Sequence, residues 1–199
     1  MCGFAGRYSA RNLPPDPEWL SEAGRLIAHR GPDGRGSVIS GSCCLTHRRL
    51  AIIDPHPSGA QPMFHEYGSV VTVFNGEIYN HREIRSHLTI PHTFKSSSDT
   101  ETLLYALLVN GTTIIKKLNG IFAFAFFNKQ SGKLILARDH FGTKPLYYYH
   151  KNNEFVFSSE IKSIIRFSKF DKTIRPEAFV YYLNYLYGPG TITPFTFLH

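Results

Sequence analysis

The stretch Phe122-Ala123-Phe124-Ala125-Phe126 alternates large and small side chains, yet both sets are apolar. Successive side chains of a strand point to opposite sides of its sheet, so an apolar pattern on both sides belongs to a strand covered on both faces. The sheet that contains it therefore lies between two layers. Other strand-like runs are Gly3 to Tyr8, two strands between Ser37 and Ile53, and Val70 to Phe74. The last of these ends at Asn75-Gly76, a pair that accepts left-handed backbone. From Ile121 onward the pattern is that of a meander: Ile121 to Asn128, Lys133 to Arg138, Leu146 to His150 and Glu154 to Ser158. Its turns fall at Lys129-Gln130-Ser131-Gly132 and Lys151-Asn152-Asn153.

Helical spacing appears between these runs. Asp16-Pro17 reads as an N-cap and first-turn proline, followed by Leu20, Ala23 and Ile27 on one face. That helix stops before the glycine/proline loop His29-Arg30-Gly31-Pro32-Asp33-Gly34. A short helix begins near Asn80. A longer one runs from about Asp99 to Val109, with Leu103, Leu104, Leu107 and Leu108 inward and Asn110-Gly111 as a C-cap. A tyrosine-rich helix covers about Glu177 to Tyr187. Two blocks of strands with helices between and after them predict α+β layers rather than alternating βαβ units. The chain stops at Phe195-Thr196-Phe197-Leu198-His199 without a polar tail, which reads as a truncation.

Composition changes this picture little. The 199 residues suit one domain, and aromatics are plentiful, with 16 Phe and 11 Tyr. The net charge of +7 raises the question of nucleic acid. However, Lys and Arg are scattered and no nucleic-acid motif accompanies them, so a solvated basic surface is the expectation. Three cysteines, two of them adjacent at Cys43 and Cys44, make no disulfide framework and fit a buried strand as small apolar residues. No apolar run reaches membrane-spanning length and no secretory leader pattern opens the chain, which points to the cytoplasm. The ten histidines show no paired ligand spacing, so no metal site is expected. Gly31-x-x-Gly34-x-Gly36 lacks the spacing and the Lys-Ser/Thr of a phosphate loop.

The residue with the sharpest chemistry is Cys2. Removal of Met1, expected before a small second residue, leaves a thiol and a free α-amine on one residue. Such an amine, with a reference pKa of about 7.7–8.0, takes a proton from the thiol near neutral pH. Taken by itself, Cys2 is more readily explained as a small residue behind the initiator. In the same way Ser98, Asp99 and Glu101 stand where a helix N-cap belongs.

Seven stretches in order change that reading. They are Met1-Cys2-Gly3; His29-Arg30-Gly31-Pro32-Asp33; His47-Arg48-Arg49-Leu50-Ala51-Ile52-Ile53-Asp54 with Gly59-Ala60-Gln61-Pro62-Met63; Phe74-Asn75-Gly76-Glu77-Ile78-Tyr79-Asn80; Ser98-Asp99-Thr100-Glu101; Leu118-Asn119-Gly120-Ile121-Phe122-Ala123-Phe124; and Arg138-Asp139-His140-Phe141-Gly142-Thr143-Lys144-Pro145-Leu146-Tyr147-Tyr148. Together they resemble the class II glutamine amidotransferases, and specifically the N-terminal glutaminase domain of asparagine synthetases. The resemblance implies an N-terminal-nucleophile hydrolase fold, a four-layer αββα sandwich of two antiparallel sheets. It implies a glutaminase domain over residues 1–165, with 166–199 as the run-in to a synthetase domain located downstream or in trans. By resemblance the Cys2 thiolate attacks the side-chain amide of L-glutamine. Asn75 and Gly76 would form the oxyanion hole. Arg49 would grip the α-carboxylate, and Asp99 with the Gly76-Glu77 segment would receive the α-ammonium. Leu50, Ile52 and Ile53 would line the same pocket.

The Ser-Gly-Gly-x-Asp-Ser pyrophosphate loop of those synthetases does not occur in this sequence. ATP and magnesium are therefore expected only in the synthetase domain, and no cofactor in this chain. Two alternatives stay open. Relatives of the family pass the nitrogen to other acceptors such as sugars, and a non-catalytic interaction module could keep the fold. Oligomeric state cannot be read from these residues.

Overall fold

The computed structural model describes residues 1–9, 16–65 and 67–199. Nine strands and five helices are found among them. The strands are β1 (Gly3–Ser9), β2 (Gly34–Ser40), β3 (Cys43–Arg49), β4 (Met63–Phe64), β5 (Val70–Ile78), β6 (Gly120–Asn128), β7 (Lys133–Arg138), β8 (Tyr147–Lys151) and β9 (Glu154–Ser158). The helices are α1 (Pro17–Leu26), α2 (His81–His87), α3 (Asp99–Asn110), α4 (Ile161–Ile165) and α5 (Pro176–Tyr185). One sheet has the order β2-β3-β1-β9-β8 and the other β4-β5-β6-β7. Among the described residues the named strands pair antiparallel.

The β6 pattern finds its cause in the layers. Phe122, Phe124 and Phe126 pack with Leu103, Leu104 and Leu107 of α3 on the outer face. Ala123, Ala125 and Phe127 turn inward against Phe4, Leu45 and Phe157 of the first sheet. The small alanines let the two sheets approach, while the phenylalanines fill the deeper gap beneath the helix. On the far side α1 and α4 cover the first sheet through Trp19, Leu20, Ala23 and Ile164. The result is the expected αββα arrangement.

Local chemistry sets the ends of the elements. Asp16 caps α1, its carboxylate accepting from the Trp19 amide at 2.9 Å. Ser98 caps α3, accepting from the Glu101 amide at 3.2 Å, and Gly111 closes that helix with φ 59°. Asn152 and Asn153 both adopt positive φ in the tight β8–β9 turn, where asparagine tolerates left-handed backbone.

Four expectations need correction. Leu108 of α3 is exposed, whereas Leu103, Leu104 and Leu107 are buried. Residues 121–158 do not form one meander, because β6 and β7 lie in one sheet while β8 and β9 lie in the other. The second strand of the 37–53 stretch ends at Arg49, and the chain leaves the sheet at Leu50. Asn75-Gly76 does not end its strand. β5 continues to Ile78, because Asn75 pairs with Ala123 and Gly76 with Phe122 of β6. The turn propensity of Asn-Gly is overridden by a partner strand some fifty residues away.

Residues 166–199 pack back on the first sheet. Phe167, Phe170 and Leu198 join its outer core, and Tyr148 and His199 exchange backbone hydrogen bonds at 2.8 and 2.9 Å. By contrast, the outer face of α5 presents Phe179, Val180, Tyr182 and Leu183 to solvent.

Candidate active site

Residue Cys2 precedes β1 at the point where β1 runs beside β3, and three contacts fix it. Arg30 donates from Nε to the Cys2 carbonyl at 2.9 Å. The Leu50 amide donates to Cys2 Sγ at 3.3 Å, and the thiol donates back to the Leu50 carbonyl at 3.5 Å. Burial pushes the Cys2 thiol above its ordinary value, and the Leu50 amide, the terminal ammonium and Arg49 oppose that rise. Met1 remains half-exposed beside Lys144, whose Nζ lies 3.3 Å from its sulfur.

A pocket of about 560 Å³, including its open mouth, adjoins this cysteine. It is lined by Cys2, Arg49, Leu50, Ile52, Ile53, Asn75, Gly76, Glu77 and Asp99, so the structure brings every sequence-predicted site residue together. Lys144 and Thr100, which the sequence reading did not assign, line it as well. Lys144 stands in the loop before β8, and the Asp139 carboxylate holds that loop through the Thr143 and Lys144 amides at 2.8 and 3.0 Å.

The free edge of β5 forms one wall. Among the described residues β4 pairs with β5 at Met63↔Thr72 and Phe64↔Val71, and no strand there bonds the outward-facing backbone groups beyond Thr72. Side chains take their place. The Phe74 amide donates to Gln61 Oε1 at 2.6 Å, and its carbonyl accepts from His47 Nε2 at 3.1 Å. The Ile78 amide donates to Asp99 Oδ2 at 3.0 Å. Backbone groups of a strand alternate between its edges, so the Gly76 N–H lies on this same edge between the two anchored amides. A side chain at Gly76 would run into the Ile121 carbonyl and the Phe122 backbone, and its φ of 156° disfavours any other residue.

Asn75 points toward the inter-sheet side. It is 1 % exposed, and its Nδ2 has no hydrogen-bond partner among the described residues. Buried amide donors are rarely left unpaired, and one aimed at a cavity marks a place for an acceptor.

The remaining groups are charged. Arg49 is held from behind by the carbonyls of Asp54 and His56. A guanidinium carries five N–H donors, so others remain for a ligand. The Asp54 carboxylate ties this loop by accepting from His56 N, Ser58 Oγ and Ser97 N at 3.0, 3.1 and 3.0 Å. Ser98 and not Asp99 provides the α3 cap, which leaves the Asp99 carboxylate to the pocket. Burial, with the nearby Glu77 charge adding to it, pushes Asp99 up to about 6. No cluster of three His, Cys, Asp or Glu suited to a metal exists among the described residues.

Sequence reasoning left the Arg30 contact to Cys2, the Asp54 knot and the His47–Phe74–Gln61 contacts unassigned. Arg30, His47, Asp54, Gln61 and Phe74 stand inside the seven stretches, but only the fold shows which groups they meet.

The profile of the glutamine amidotransferase domain family matches residues 1–199. Asparagine synthetase [glutamine-hydrolyzing] 1 of Bacillus subtilis is 38 % identical over 97 % of this chain and 31 % of its own length. Asparagine synthetase B of Escherichia coli is 36 % identical over 72 % of this chain and 26 % of its own length. The chain thus spans less than half the length of these curated relatives. Among solved structures, the glutamine phosphoribosylpyrophosphate amidotransferase of B. subtilis superposes with a TM-score of 0.68 at 21 % identity, over 82 % of this chain and 43 % of that one. That likeness shows a shared fold.

Proposed function

The chain belongs to the glutamine amidotransferase domain family, and from that premise we propose that it hydrolyses the side-chain amide of glutamine to glutamate and ammonia through a Cys2 thioester. The observation that carries the proposal is the buried Asn75 amide in the Cys2 pocket, which has no partner among the described residues. Once Met1 is removed, the Cys2 α-amine accepts the thiol proton and the thiolate adds to the amide carbon. Negative charge then develops on the former amide oxygen, and Asn75 Nδ2 and the Gly76 N–H receive it. Removing one such donor costs about 3–4 kcal/mol of transition-state stabilisation. The protonated α-amine returns its proton to the leaving nitrogen, ammonia departs, and water hydrolyses the γ-glutamyl thioester.

Recognition divides between opposite charges. Arg49 receives the α-carboxylate with paired N–H bonds. Asp99, with Glu77 beside it, receives the α-ammonium, while Leu50, Ile52 and Ile53 line the side-chain path. This chemistry needs no cofactor.

We further propose that the ammonia serves an asparagine-synthetase-type partner domain, downstream or in trans, in which ATP and magnesium would activate the acceptor. Residues 1–165 would hold the glutaminase and 166–199 the connection to that domain. The relatives named above support this reading.

The test is direct. Protein with Met1 removed, verified by intact mass, should release equal amounts of glutamate and ammonia from glutamine, and Cys2→Ala should abolish release. Hydrolysis that survives Cys2→Ala sinks the mechanism.

A further inference from the structure

Residue His47 sits in β3 with no exposed surface, in a run that is otherwise Cys43-Cys44-Leu45 and Thr46. Its Nε2 lies 3.1 Å from the carbonyl of Phe74, 27 residues away on the opposite sheet. A carbonyl only accepts, so the Nε2 carries the proton. Nδ1 then presents a lone pair, and it has no partner among the described residues. Burial, opposed by the Phe74 contact and helped by the Arg49 charge, holds the ring down to about 4, so it is neutral at physiological pH.

For stability alone this is a poor choice. A buried imidazole with one unpaired nitrogen bears a desolvation cost that an apolar side chain would avoid. Its return is a single bond that joins the two sheets at the peptide linking Phe74 to Asn75. Gln61 holds the other side of the same residue, with its Oε1 2.6 Å from the Phe74 amide and its Nε2 3.3 Å from Thr100 Oγ1. Between them the peptide groups on either side of Phe74 are fixed where β4 no longer pairs. The peptide plane after Phe74 sets the direction of the Asn75 side chain and the course of the chain into Gly76.

Resting on the glutaminase reading, we propose that His47 and Gln61 are positioning residues that clamp Phe74 and thereby aim the Asn75 amide and the Gly76 N–H at the developing oxyanion. His47 stands outside the pocket lining, and Gln61, which borders the pocket, has its amide engaged with Phe74 and Thr100. Their effect falls on the chemical step, because the two donors engage most strongly in the transition state, while Arg49 and Asp99 bind glutamine elsewhere in the pocket.

The experiment compares wild type with His47→Leu, His47→Gln and Gln61→Met, all with Met1 removed. Glutamine hydrolysis is measured beside the rate at which iodoacetamide alkylates Cys2. Alkylation consumes the thiolate and builds no oxyanion, so it reports whether the nucleophile itself is intact. His47→Leu should lower kcat by about 10- to 100-fold, as sub-ångström to ångström misplacement of catalytic groups does. KM should stay within about threefold and alkylation unchanged. His47→Gln, whose amide N–H reaches toward the same carbonyl, should recover most of kcat. Gln61→Met must show the same split of kcat from KM and alkylation, and it carries the test if His47→Leu does not fold. The proposal is overturned if His47→Leu keeps the wild-type kcat, if kcat and alkylation fall together, or if KM carries the loss. Wild type without glutaminase activity overturns the glutaminase reading itself. An active wild type indifferent to these substitutions overturns the clamp alone.

Discussion

The two edges of β5 are built in opposite ways. Along one it pairs with β6 at nine positions, from Val70↔Asn128 to Ile78↔Gly120. Along the other it pairs with β4 at two. On the first edge the backbone satisfies itself. On the second, the outward groups of Phe74 and Ile78 go to His47, Gln61 and Asp99, and the stretch between them opens into the Cys2 pocket. An unpaired strand edge normally attracts another strand. Here the edge is covered by side chains except at Gly76, where the proposed substrate oxygen would take the place of a ladder acceptor. The fully paired edge gives the rigidity that an unpaired edge needs if its donors are to stay aimed.

The largest effect that would break this contrast comes from Asn75→Ala. If the side chain on the open edge serves catalysis and not folding, kcat for glutamine should fall about 10²–10³-fold. The thermal midpoint should hold or rise, since an unpaired buried donor has been removed while the β6 ladder stays. Kinetics and a thermal melt on one preparation check both halves. A lower midpoint with unchanged kcat would mean that Asn75 is a structural residue.

The same contrast explains what the sequence could reveal. The β6 side was legible because Phe122 to Phe126 carry their own period and the 129–132 hairpin turn marks one of its ends. The gathering of Cys2, Arg49, Asn75 and Asp99 was legible only through motif order, since their stretches are far apart in the chain. Two features were not legible. Asn75-Gly76 has every local mark of a turn, and only pairing with β6 carries the strand through it. His47 and Gln61 belong to one of the seven stretches, and nothing local says that both meet Phe74. Backbone satisfaction at an interrupted edge is a property of three-dimensional register, which local propensity does not encode.

Asp99 gives a smaller effect with a definite sign. Its carboxylate, raised to about 6 by burial and the Glu77 charge, binds an ammonium only when ionised. About nine-tenths is ionised at pH 7 and one-tenth at pH 5, so kcat/KM for glutamine should fall about tenfold between them through this group. Stability moves the other way. The folded carboxyl holds its proton more tightly than an unfolded one, so ionisation costs the fold above about pH 6, and that cost fades as pH falls toward 4. Asp99→Asn should raise KM and remove this limb from the pH profile. A profile in which the limb persists in Asp99→Asn assigns it to another group.

The smallest effect separates the sheet from the helix as the holder of the open edge. Asp99 is the first residue of α3, and Ser98 caps that helix. Ser98→Ala removes the acceptor of the Glu101 amide and the contact to Ser96 Oγ at 2.8 Å. Loss of such a cap costs about 1 kcal/mol of stability, read as a lower denaturation midpoint. The Asp99 carboxylate is also anchored to the Ile78 amide, which the β6 ladder fixes independently of the helix. If that anchor suffices, KM for glutamine should change by no more than about threefold despite the lost cap. If KM rises with the fraying of the helix, then α3 and not β5 sets the position of the carboxylate, and the open edge is organised from its covering helix rather than from its paired neighbour.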